Sequence, residues 1–61
     1  MMERTRIAES ARALHEAHGD KAEVQAAQKA KRLEEAGDAG GAADWRAIRE
    51  AIREMRGAPE S

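Results

Sequence analysis

The sequence predicts an all-α protein, and three observations carry that prediction. Ala, Glu, Lys, Arg, Gln and Leu dominate, all strong helix formers, whereas Phe and Tyr are absent and β-branched residues are few. Apolar residues recur at spacings of three and four, the period of a helix face. Two Gly-Asp pairs, Gly19-Asp20 and Gly37-Asp38, each follow an alanine-rich stretch and read as punctuation between helices. The expected architecture is a small three-helix bundle, or a helical hairpin plus one helix, completed by oligomerisation or by a partner. It forms one domain over residues 1–56, with a frayed tail at 57–61.

The first helix is expected over about residues 2–18, where Ile7, Ala11, Leu14 and His18 share one face. Gly19 ends it. The second helix is expected over about 20–36, with Asp20 as N-cap and Glu23 completing an acidic capping box. Its inner face is narrow: Ala22, Ala26, Ala30 and Leu33, with Ala27 beside them. Val24 lies well around the cylinder, so this helix has a second side on which to meet a neighbour. Glu23 and Glu34 fall within the apolar arc, where they either snorkel to its edge or pair with an arginine across a helix interface.

The third helix runs to residue 56, before Gly57 and Pro59. Its start is open between residues 38 and 42. Asp38 caps it if Gly40 and Gly41 form the first turn; otherwise the loop runs on towards Asp44. Trp45, Ile48, Ile52 and Met55 then make a two-turn apolar seam bordered by Ala51. The preferred packing is a hairpin of the second and third helices with the first laid across it. In that arrangement the large residues of the third helix rest on the alanine floor of the second.

The supply of core material is thin. Of twenty-five hydrophobic residues among 61, fifteen are alanine and ten are large, and there is no cysteine. Small chains usually need a disulfide, a metal or a partner, and cysteine-based staples are excluded. Membrane insertion is not expected, since no apolar run approaches the ~18–20 residues a spanning helix needs. No signal-peptide h-region follows Met1-Met2-Glu3-Arg4. Eleven basic and twelve acidic residues give a net charge of -1, which offers no global attraction to DNA or to a membrane surface. A cytoplasmic protein is expected.

Arg46, Arg49, Arg53 and Arg56 fall within an arc of about 80° on the third helix, at 100° per residue, with Trp45 at its edge. Arginines beside an aromatic suit phosphates, carboxylates or a base. The plainer reading is a solvated face with Arg46–Glu50 and Glu50–Arg53 pairs. A helix-turn-helix using this stripe in a major groove is disfavoured, because Asp38, Asp44, Glu50 and Glu54 share the helix or its entrance and repel phosphates. His15 and His18 stand at i,i+3, one residue short of the zinc-protease spacing and without a third ligand. The plainer reading there has His18 on the packing seam and His15 in solvent. No metal or cofactor is expected, and with no cleft for a catalytic carboxylate pair, no enzyme.

The run His18-Gly19-Asp20, Ala36-Gly37-Asp38, Trp45, Ile48, Ala51 and Ile52 resembles a group of short helical proteins of alphaproteobacteria with an HGD…AGD…W-x-x-I layout. The resemblance covers residues 8–56 and implies a bacterial, cytoplasmic origin, with no activity attached. Ala26, Ala30, the Gly-Asp turn and Trp45 are also similar to half of a tetratricopeptide unit, although the chain is too short for such a solenoid.

The resulting expectation is a non-enzymatic protein–protein interaction module, either a homodimer or a subunit docked on a larger protein. Its contact surface is the seam Trp45, Ile48, Ile52 and Met55, flanked by Arg46, Arg49, Arg53 and Arg56. The competing reading makes the same seam the core of a monomer. The alternative function is a nucleic-acid-associated regulator using the arginine stripe.

Overall fold

A computed structural model describes residues 4–56 and is all-α. Three helices, α1 (Arg4–His18), α2 (Ala22–Glu35) and α3 (Ala39–Arg56), are joined by a 3-10 turn at Gly19–Lys21 and by a short connector at 36–38. The helix start expected at residue 2 and the tail expected at 57–61 lie outside the described residues.

The two Gly-Asp pairs do different work. At the α2–α3 turn Gly37 adopts φ +87°. That left-handed step lets the Gly37 amide donate to the Glu34 carbonyl and the Asp38 amide donate to the Leu33 carbonyl at 2.8 Å. This paired closure of the last turn is the Schellman pattern. Asp38 then opens α3: its Oδ1 accepts from the Gly41 amide at 2.9 Å, and its carbonyl accepts from Ala42 at 3.0 Å. The third helix therefore takes the earlier of its two possible starts, with Gly40 and Gly41 in the first turn. Gly41 also has a steric reason, because a Cβ there would stand 2.6 Å from Asp38 Oδ2. Asp38→Ala should cost about 1 kcal/mol, read as a lower urea midpoint with an unchanged slope.

At the α1–α2 junction Gly19 also turns left-handed, at φ +60°, but Asp20 caps nothing. Lys21 occupies the N-cap position of α2 with no side-chain cap, at φ -88° and ψ -3°. Side-chain capping needs an extended backbone at that position. Here the chain enters α2 already helical, and the Ala22 amide is satisfied by the Gly19 carbonyl. The capping box expected from Asp20 and Glu23 is thus replaced by a 3-10 turn, and Glu23 is released for another partner.

The α2–α3 contact is the most extensive in the molecule, α1–α3 comes next and α1–α2 is smallest. That is the hairpin with a third helix across it. At its centre Ala11, Ala22, Ala26, Ile48 and Ile52 form one buried cluster, with Ile7, Leu14, Trp45 and Ala51 packed against it half-buried. Ala30 and Ala42 are buried as well. Alanine removes little area from water but permits close approach of helix axes, near the lower end of the usual 8–10 Å.

Candidate functional site

The four residues of the α3 seam do not share one environment. Ile48 and Ile52 are 1% and 0% exposed. Both are used up inside the chain, against Ala11 of α1 and Ala22 and Ala26 of α2. They are therefore withdrawn from the docking surface proposed for them on sequence grounds, because three helices already close over that part of the seam. Trp45 is half-buried against the same cluster. Met55 remains open at 37%.

The arginine stripe is turned towards α2. Arg46 donates to Glu34, Arg49 lies 3.9 Å from Glu23, and Arg53 lies 4.0 Å from Glu23 and 3.8 Å from Glu50. Of the two surface pairs expected along α3, Glu50–Arg53 forms. The other main partners are the α2 carboxylates that interrupted its apolar arc, so Glu23 and Glu34 pair across the helix interface. Glu34 meets Arg46 near the turn, and Glu23 meets Arg49 and Arg53 farther from it. That order is the antiparallel register of a hairpin, unlike the steep crossing of a helix-turn-helix. Arg56 closes α3, and its side chain lies outside the described residues.

The face of Trp45 is also occupied, since Lys29 Nζ stands 5.8 Å from the ring centroid, within cation–π range. A base stacking on this ring would have to displace it. The histidines reverse the expected assignment. His15 is half-buried, and its Nδ1 is buried without a hydrogen-bond partner, while His18 is exposed. His18 is the last residue of α1, where the chain leaves the bundle face through the 3-10 turn. Among the described residues no group of three His, Cys, Asp or Glu side chains is arranged to hold a metal ion. No described helix is long and apolar enough to cross a membrane.

A second surface lies on the outside of α2. Val24 is 54% exposed there, among exposed Lys21, Gln28, Lys31 and Arg32. A shallow depression opens on this face between Gln28, Lys31, Arg32 and Glu35. The signal was in the sequence: Val24 stands on the opposite side from Ala22, Ala26 and Ala30, with Gln28 and Lys31 at i+4 and i+7.

The ion pairs on the α3 side are partly solvated, with the Arg53 and Glu23 side chains 60% and 19% exposed. Glu23→Gln should therefore cost about 1 kcal/mol or less, allowing for solvent screening. The difference from the parent chain should shrink in high salt, as measured by urea unfolding at two ionic strengths.

Comparison with protein-family models, curated proteins and solved structures found no match to this chain.

Proposed function

We propose that the protein is a small, non-enzymatic helical interaction module that docks on a protein partner or on a second copy of itself. The observation that carries this reading is the makeup of the core. Among the described residues seven hydrophobic side chains are buried, five of them alanines, with Ile48 and Ile52 the only large ones fully enclosed. Such a core gives shape with little burial energy, and a bound partner adds stability by mass action. Val24 and Met55 offer apolar surface for that contact. The depression beside Lys31 is open to solvent and lined by exposed residues of one helix, which suits binding better than catalysis. A bacterial cytoplasm is the setting this reading assumes, from the HGD…AGD…W-x-x-I resemblance.

The nucleic-acid reading of the arginine stripe has less support. Arg46, Arg49 and Arg53 each share a carboxylate of this chain, and phosphates would compete with those carboxylates for the same guanidinium groups.

Light scattering after size exclusion tests the proposal, run on the pure chain at low micromolar concentration and on material isolated from its native cell. A dimer or a stoichiometric protein complex is expected. A cooperatively folding monomer that brings no protein with it contradicts the proposal.

A further inference from the structure

We infer that the outer face of α2, centred on Val24, is where the module docks, and that its occupant is an acidic segment of another protein. This rests on the interaction-module reading and replaces the α3 seam as its contact surface. The contrast between the two helices carries the argument. The described arginine side chains of the α3 stripe each have a carboxylate partner in the chain. Among the described residues, Lys31 and Arg32 of α2 and Lys21 of the preceding 3-10 turn have no ion pair, even though Glu35 stands at i+4 from Lys31 and i+3 from Arg32. Three cations without an ion pair, against the exposed carboxylates of Glu35 and Asp20, leave this face net positive in a chain whose net charge is -1.

One of its residues is also a poor choice for the helix it sits on. Val24 puts a β-branched side chain on an exposed helix position, where helix propensity favours alanine or a straight-chain residue. Local preferences broken without structural compensation mark surfaces kept for another purpose. Lys31 and Arg32, near the C-terminal end, are compatible with the dipole and do not carry this point alone.

At 100° per residue, Lys21, Val24, Gln28, Lys31 and Arg32 fall within an arc of about 100°, and all five are exposed. An apolar centre ringed by cations fits an acidic segment that also brings an apolar side chain to Val24. Lys31 and Arg32 set the charge preference, and Gln28 supplies neutral donors and an acceptor. A nucleic acid fits less well. The face has no aromatic residue for base stacking, and its centre is aliphatic.

A photo-crosslinking amino acid placed at position 24, 47 or 53 of the full chain, in its native cell, tests the inference. Positions 47 and 53 report on a half-buried flank of α3 and on its exposed arginine side. Circular dichroism first confirms that each variant is helical. The inference predicts crosslinks from position 24 to a protein segment of net negative charge. It further predicts that the yield falls about tenfold or more when Lys31→Glu and Arg32→Glu set like charges against that segment. Crosslinks only from 47 or 53 overturn the inference and leave the module reading standing. So do crosslinks from 24 to a neutral or basic protein segment or to another copy of this chain, whereas a crosslink to nucleic acid alone overturns both readings. No protein crosslink from any position removes the module reading itself.

Discussion

Ile52→Ala should remove a large share of the chain's folding free energy. The side chain is 0% exposed and lies at the centre of the cluster formed by Ala11, Ala22, Ala26 and Ile48. Truncating a buried isoleucine to alanine costs about 2–5 kcal/mol through lost burial and the cavity left behind. A chain of 61 residues, at roughly 0.05–0.15 kcal/mol per residue, has a total stability of only about 3–9 kcal/mol. One residue thus accounts for much of the whole. Met55→Ala, one turn away on the same seam but 37% exposed, should cost about 1 kcal/mol or less. Urea unfolding of the two variants side by side separates the readings of the seam. Equal losses would mean that Ile52 is no more enclosed than Met55.

Ala26→Leu is expected to be nearly as damaging, for the opposite reason. Ala26 is 0% exposed in the same cluster, and its small size sets how closely α2 approaches its neighbours. A leucine there adds bulk at a fully enclosed position, and overpacking typically costs about 1–3 kcal/mol, occasionally more. Ala17→Leu, on the exposed side of α1, should stay within about 0.5 kcal/mol of the parent. The pair distinguishes an alanine chosen for fit from one chosen for helix propensity. Differential scanning calorimetry should show a clear fall in Tm for the first and almost none for the second.

Most of the fold was legible because its signals are local. The seam of α3, the alanine face of α2 and the Gly37-Asp38 turn each follow from residues within a few positions of one another, and the structure has all three. The Asp20 cap failed for a local reason too. Capping depends on the backbone conformation of the N-cap residue, and the 3-10 turn after Gly19 delivers the chain to α2 already helical. The pairing of Glu23 and Glu34 with the arginines was open in the sequence as one of two outcomes. Periodicity puts a carboxylate at the edge of a face but does not identify what lies across from it.

The interaction surface was harder to read. An apolar seam has the same pattern whether it faces a sister helix or another protein, and tertiary packing alone assigned Ile48 and Ile52 to the core. The arginine stripe drew attention because its spacing is regular. The charges of Arg46, Arg49 and Arg53 are answered inside the chain, whereas Lys31 and Arg32 of α2 have no ion pair among the described residues. Val24 lies apart from the alanine face on the helical wheel, and in the structure it is exposed.

Ile48 and Ile52 of the α3 seam belong to the chain's own core, so no docking partner could use them. Hydrogen exchange on the isolated, dilute chain tests this most directly. The account predicts that the amides of Ile48 and Ile52 and of the facing Ala26 exchange slowest and together, at the rate of global unfolding. Fast exchange at Ile48 and Ile52 in the monomer, with protection appearing only on self-association or partner binding, would contradict it.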